Sequence, residues 1–235
     1  MSQPKLRIPR PQPAPGTSVG SQPDSPAPRG RGDGTQVWLV RHAVVHEDWH
    51  QRAYGGLDVP LSTYGEQQTQ AMGEAFGAAF GASGLSAVTS SNLARAAAMG
   101  RSIAKATGAP LAVDPRLREI DRGAWQGDPS QAFRQRWEAD PAFFEDPWNW
   151  KGHDGESDAD LYARVGPAFD DVARAAAGRT VAIAAHSNVI RVLLGRLTGS
   201  SAFDSYDLRI DPAHATLVVD TADGWVAERS NVAAP

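Results

Sequence analysis

His42 and His186 each close a short apolar run, Val37-Trp38-Leu39-Val40-Arg41-His42 and Thr180-Val181-Ala182-Ile183-Ala184-Ala185-His186. A neutral imidazole offers one lone pair for attack and one N–H for donation, so two of them at one site suit covalent transfer of a group to histidine. Arg41 adjoins His42, and a second arginine, Arg95, lies in Ser90-Ser91-Asn92-Leu93-Ala94-Arg95-Ala96. A guanidinium stays charged and grips two oxygens at once, which fits a phosphoryl group. Glu119, in Leu117-Arg118-Glu119-Ile120-Asp121-Arg122-Gly123, is the candidate acid for a leaving oxygen. Cleaving a phosphomonoester requires on the order of 20 kcal/mol of barrier lowering, much of it from fixed positive charge.

These residues need elements that bring them together. Each histidine run has the length of a buried strand and leads through a polar turn into helix-forming sequence. In an open α/β sheet this places both imidazoles at the carboxyl edge, where ligands bind. Arg41 and His42 are neighbours, and strand neighbours face opposite ways, so both reach one pocket only because the strand ends there. The pattern predicts strands at 36–41, 86–90, 111–113 and 180–185, and a closing hairpin of 215–220 and 225–229. Helices are predicted at 63–80, with capping-box spacing in Thr63-Tyr64-Gly65-Glu66, at 92–107, at 130–138, from Ser157 to about Ala177, and at 188–197. Ser187 is the expected N-cap of the last, adding N–H donors for an anion beside His186. Arg95 falls within a turn of another helix start, where the dipole also favours an anion. Alternating strands and helices imply a three-layer α/β/α sandwich with a mostly parallel sheet.

With 235 residues the chain can bury a core without staples, and it has no cysteine, which excludes disulfides, thiolate metal sites and cysteine nucleophiles. No apolar run is long enough to span a bilayer and no secretory leader is evident, so a soluble cytoplasmic protein is expected, with no membrane partner. The formal charge of −4 argues against nucleic-acid binding. Residues 1–34 hold eight of the 17 prolines and are read as a disordered tail, its Arg31-Gly32-Asp33 triplet a product of composition. The tail carries +3 and residues 35–235, the expected domain, −7, so an anionic substrate must be drawn by local arginines.

Taken together, the segments Leu39-Val40-Arg41-His42, Tyr54 to Gln68, Ser90 to Ala96, Glu119 to Gly127, Gly155-Glu156-Ser157 and Ala185 to Arg191 resemble the histidine phosphatase superfamily, with its phosphoglycerate mutase-like fold. The resemblance implies a nucleophile at His42, phosphate-binding arginines at Arg41 and Arg95, a second phosphate-pocket histidine at His186 and a proton donor at Glu119. It implies a small phosphorylated substrate and neither metal nor cofactor. The run Glu119-Ile120-Asp121-Arg122-Gly123-Ala124-Trp125-Gln126-Gly127 is similar to the phosphatase form, and the Glu-Arg-His-Tyr-Gly run of the mutases is absent. The stretch Tyr54 to Leu61 is similar to small phosphatases such as α-ribazole phosphatase. A phosphoglycerate-type mutase and a non-catalytic phospholigand-binding protein are the alternatives. Ala43, Val45 and Asp48 depart from the family pattern: Val45 removes a hydroxyl donor, and Asp48 repels phosphate unless Arg52 or a histidine pairs with it, which makes Arg52 a further candidate for the substrate site.

Other features have blander readings. His46, His50, His153 and His214 lack metal-ligand spacing apart from His46 and His50 at i, i+4, and no helix pattern supports that pair. Trp125, Phe133, Trp137, Phe143, Phe144, Trp148 and Trp150 form either a satellite core or a lid over the substrate, and the two are compatible. Arg191 is expected to cap or pair structurally. Glu119 taken alone would be a salt-bridge partner of Arg116, Arg118 or Arg122.

Overall fold

Along the first strand, β1 (Gln36–Arg41), Val37 and Leu39 point to one side and Trp38 and Val40 to the other, and all four are buried. A strand buried on both faces must be covered by helices on both, and the computed structural model, which describes residues 31–200 and 202–235, shows that arrangement. On one face α1 (Thr63–Phe80) and α2 (Ala94–Thr107) set Met72, Phe76, Met99 and Ile103 against Trp38 and Val40. On the other, α5 (Asp158–Ala176) and α6 (Ser187–Leu197) set Leu161, Val165, Phe169 and Val189 against Val37 and Leu39.

The remaining strands are β2 (Ala87–Ser90), β3 (Leu111–Val113), β4 (Thr180–Ala185), β5 (Ala215–Thr221) and β6 (Gly224–Val232), and the sheet order is β3-β2-β4-β1-β5-β6. β1, β4, β2 and β3 are parallel; β5 and β6 are antiparallel additions. The three-layer, mostly parallel sandwich expected from the sequence is therefore the fold. Between β3 and α5 lie α3 (Ser130–Ala139) and α4 (Pro141–Glu145), and α7 (Ala202–Tyr206) follows α6. Trp137, Phe143 and Trp150 form a separate small core there, with Trp125, Phe133, Phe144 and Tyr206 against it. The sequence predicted α3 but neither α4 nor α7, since helices this short carry little periodic signal. Trp148 leaves the cluster and packs on Tyr162 of α5.

Two helix starts differ from expectation by one residue. Ser62, not Thr63, caps α1, its hydroxyl accepting from Gly65 N at 3.0 Å. His186, not Ser187, is the N-cap residue of α6, and Ser187 is the first helical residue. The backbone of β4 runs extended through His186 before it turns, which shifts the cap. At α5 the expected pair is in place, Ser157 and Asp160 forming a full capping box.

The expected tail lies mainly outside the described residues. At its described end, the N–H groups of Arg31 and Gly32 donate to the buried Asp220 carboxylate at 2.9 and 3.1 Å. Among the described residues no helix is long and apolar enough to cross a membrane.

Gly65 lets α1 lie directly on the loop that follows His42, because a Cβ there would overlap the Val44 carbonyl oxygen. Gly65→Ala is expected to lose about 1–3 kcal/mol of stability, the usual cost of overpacking. Urea unfolding should show a lower midpoint with unchanged slope; an unchanged midpoint would mean that this contact can relax freely.

Candidate active site

The register of β1 on β4 pairs Arg41 with Ala185, so the residues that follow, His42 and His186, come off adjacent parallel strands side by side. Their ring centroids are 5.2 Å apart, and both residues are buried. His42 Nδ1 lies 2.7 Å from the Ala43 carbonyl oxygen. A carbonyl can only accept, so Nδ1 carries the proton and Nε2 carries the lone pair. Arg95 Nε–H donates to that lone pair at 3.3 Å.

Arg95 is the second residue of α2 and is 1 % exposed. Its Nη1 and Nη2 donate to the carbonyls of Leu57 and Gly55 at 2.6 and 2.9 Å, and its guanidinium lies 5.2 Å from the Tyr54 ring centroid. Arg41 donates through Nη1 to Ile210 O at 2.6 Å, while its Nε is buried without a partner among the described residues. His186 Nε2 meets Ser91 Oγ at 2.9 Å, and that hydroxyl oxygen already accepts from Leu93 N. The hydroxyl can give its proton to Nε2 or accept one from it, and His186 Nδ1 is buried without a partner among the described residues. Arg41 Nε is thus an uncommitted donor, and the His186 ring, its centroid 5.2 Å from that of His42, also has a ring nitrogen without a partner among the described residues.

Burial, reinforced by neighbouring positive charge, keeps both imidazoles neutral. Burial above all, then Arg41 and Arg95, holds His42 well below the usual histidine value of 6.5. Burial again, then Arg95, His42 and Arg41, does the same for His186. An uncharged ring with its lone pair directed among fixed cations is chemically suited to attack an anionic phosphorus centre.

Glu119 sits at the start of α6, its Oε2 accepting from Asn188 N at 3.2 Å and its Oε1 from Ile120 N at 3.0 Å. None of the three arginines weighed as its salt-bridge partner takes that role. Arg116 pairs with Asp114 and Asp171, Arg118 donates to Gly56 O, and Arg122 reaches His153 and Asn188. What fixes the segment is Arg164 of α5, which the sequence reading missed. Its Nη1 donates to the carbonyls of Arg116 and Arg118, both at 2.7 Å, and its Nη2 to Glu119 O at 3.1 Å. The same guanidinium forks onto Glu156 at 2.6 and 2.7 Å. Glu156 in turn accepts from Asp121 N at 2.9 Å, so Glu119 is braced on both sides. Burial would raise the Glu156 carboxyl, but these donors outweigh it and hold it low. The one available signal was Glu156 itself, set eight positions before Arg164 in the segment of family resemblance.

Arg191 forms a buried ion pair with Asp158 at 2.6 Å, a structural pairing as expected. Ser187 is half-buried at the first turn of α6. Arg52 is not drawn into the cluster: it is exposed and donates to Gly127 O at 2.7 Å. Asp48 is exposed and pairs with His46 at 3.4 Å, and Val45 is buried in a bridge to Leu61. His50 bonds Val45 O, His214 bonds Pro212 O, and His153 lies in the aromatic region. Among the described residues no group of three or more histidine or acidic side chains is placed to hold a metal.

Residues 37–233 match the family description "Histidine phosphatase superfamily (branch 1)", and the chain belongs to that family. A probable phosphoglycerate mutase, GpmB, of an Enterobacter species is 28% identical over 205 residues, covering 82% of this chain and 91% of that protein. Among solved structures, a mycobacterial protein titled hydrolase 2 superposes with a TM-score of 0.74 at 25% identity, over 86% of this chain and 92% of its own. Mycobacterial glucosyl-3-phosphoglycerate phosphatase superposes with a TM-score of 0.71 at 25% identity, over 85% and 99%. That phosphatase has also been solved with inorganic phosphate, matching at a TM-score of 0.69 and 25% identity over 84% and 97%.

The buried histidines set the acid limb of stability. His42, His186 and His153, the last pushed down to about 4 by burial and then by Arg122, are neutral in the folded state and take up protons near 6.5 once unfolded. Their contribution is full above pH 6.5 and is lost as pH falls toward the folded values, because the unfolded chain then binds more protons. The thermal midpoint should fall steadily between about pH 7 and pH 5, and His153→Phe should flatten that fall. A midpoint independent of pH in this window would show that these rings protonate in the fold.

Proposed function

We propose that this chain is a metal-independent phosphatase that hydrolyses a small phosphomonoester through a phosphohistidine on His42. The observation that carries the proposal is the His42 Nε2 lone pair, held by Arg95 Nε, with the His186 ring 5.2 Å away and Arg41 close enough to act on His42 through its charge. Phosphoryl oxygens take up donors from Arg41, Arg95 and His186 together with the first amide of α6, that of Ser187. Arg52, engaged on Gly127 O, has no part in it.

In the first step Nε2 forms the N–P bond, the P–O ester bond breaks, and protonated Glu119 gives its proton to the leaving oxygen. In the second, Glu119 as carboxylate takes a proton from water while the water oxygen bonds to phosphorus, the N–P bond breaks, and inorganic phosphate leaves. Arg41, Arg95 and His186 supply fixed charge and donors in both steps. The Glu-x-x-x-Gly-x-Trp-x-Gly run favours hydrolysis over mutase chemistry, and the mycobacterial phosphatase that shares the fold supports the same choice.

The test is phosphate release from a panel of small phosphomonoesters with chelator present. Wild-type release should persist in chelator, vanish in His42→Asn, and fall about 100-fold or more in kcat in Glu119→Gln. Transfer of label to a second ester in place of release would identify a mutase; phosphate binding without turnover would identify a binding protein.

Arg164→Met frees the Glu119 segment without touching the phosphate pocket. It is expected to lower kcat by roughly 10- to 100-fold with little change in KM. Arg164→Lys, which keeps charge but not the fork, should recover only part of the loss.

A further inference from the structure

A single peptide unit holds the Arg41 guanidinium. Arg41 Nη1 donates to the Ile210 carbonyl at 2.6 Å, and the N–H of that same peptide, carried by Asp211, donates to Asn231 Oδ1 at 2.7 Å. A trans peptide points its carbonyl and its N–H in opposite directions, so the plane is gripped from both ends. Asn231 completes the clamp by donating through Nδ2 to Asp211 Oδ2 at 3.0 Å. Among the described residues it is the one side chain outside residues 209–214, apart from Arg41 itself, that hydrogen-bonds to this loop. The far end of the loop is tied by backbone alone: Ala213 N donates to His42 O at 3.1 Å, and His214 O accepts from Arg41 N at 3.0 Å. Those two bonds continue the β1–β5 pairing and do not need Asn231.

The placement of Asn231 depends on an irregularity in the sheet. It lies on β6, two strands from β1. Ala215 and Leu217 of β5 pair with Val232 and Arg229 of β6, so β6 carries one residue more than β5 over this step, a bulge. Asn231 falls in the bulge with a φ of 52°, a left-handed conformation that asparagine tolerates better than most residues. Its N–H donates to Thr216 Oγ1 at 3.2 Å, which leaves the whole side-chain amide for the loop. A regular strand would have kept β6 out of reach of Arg41.

We infer that Asn231 is a positioning residue for the phosphate pocket: its amide fixes the Ile210–Asp211 peptide, and that peptide fixes the direction of the Arg41 guanidinium. With Nη1 spent on Ile210 O, the other N–H groups of Arg41 are held in set directions before an anion arrives, and fixed donors stabilise charge better than mobile ones. The inference rests on the phosphatase reading only for the anion that Arg41 grips.

The test is a double-mutant cycle on the full chain, read as inorganic phosphate affinity by titration and as kcat/KM on the best ester of the panel. Asn231→Gly keeps the left-handed backbone accessible and removes the amide. It should weaken phosphate binding and lower kcat/KM, each by roughly 10-fold. In an Arg41→Met background the same change should cost less than about 2-fold, because the clamp then has nothing to aim. The exchange of Asp211→Asn with Asn231→Asp keeps an acceptor for the N–H at position 211 and reverses the other bond, and it should recover most of the loss. Arg209→Met, which removes only the exposed ion pair with Asp211, should leave both readouts within about 2-fold. Should Asn231→Gly unfold the chain, Asp211→Ala opens the clamp from its other side and enters the same cycle. Equal losses with and without Arg41, or no loss in either readout, overturn the inference. Phosphate affinities that follow the cycle without hydrolysis of any ester would leave the clamp standing and remove the phosphatase. Hydrolysis with equal losses would do the reverse, and neither binding nor hydrolysis would overturn both.

Discussion

Burying the Arg95 guanidinium is the constraint around which the site is arranged. A cation taken out of water must find acceptors for its N–H groups or the fold loses several kcal/mol. Among the described residues no carboxylate hydrogen-bonds to it; burial lowers its pKa, and Glu119 and Tyr54 act on it only at a distance. Its acceptors are instead the carbonyls of Gly55 and Leu57 and the lone pair of His42. A carboxylate partner would have cancelled the charge, whereas neutral acceptors leave it in force. The loop from Tyr54 to Leu57 is therefore shaped by the need to satisfy this group, including Gly55 with its positive φ of 41°, packed too closely against Ile120 O for a side chain.

The other parts of the site follow from where strands end. β1 and β4 deliver the two imidazoles in register, β2 delivers Ser91 to orient one of them, and α6 opens where Glu119 can accept from its second amide. Glu119 belongs to no strand or helix, which is why its placement depends on Arg164 collecting the carbonyls around it. Rigid elements hold the phosphate side, and a braced loop holds the side that handles the proton. The two are tied together at Asn188.

Local signals in the sequence carried much of this. The alternation in β1, the apolar run of β4 and the Ser157 cap were readable because each reports on its own few residues. So was the convergence of His42, His186, Arg41 and Arg95, which needs only that parallel strands end at one edge. The partners that complete the site were not readable. Arg164 meets carbonyls 45 to 48 positions away, Arg41 meets Ile210 and His153 meets Arg122, and no periodicity encodes which of many surface-type charges will fold inward. The one-residue shifts at Ser62 and His186 have a similar origin, since a cap is decided by where the backbone turns. Asp48, expected to threaten a bound phosphate, lies exposed on a short turn with His46 because the chain after Val45 bends outward.

The small aromatic core beneath α3 and α4 shares no residue with either of the two larger cores on the sheet faces. Substitutions among Trp125, Phe133, Phe144 and their neighbours can therefore reshape the packing around Arg122 and His153 without loosening the sheet that aligns His42 with His186. The chain thus has two nearly independent packing units: a sheet whose two faces align the imidazoles, and an aromatic segment whose side chains interlock among themselves. Mutational change in a chain built this way can run through the aromatic segment first, with the frame that aligns the two rings left as it was.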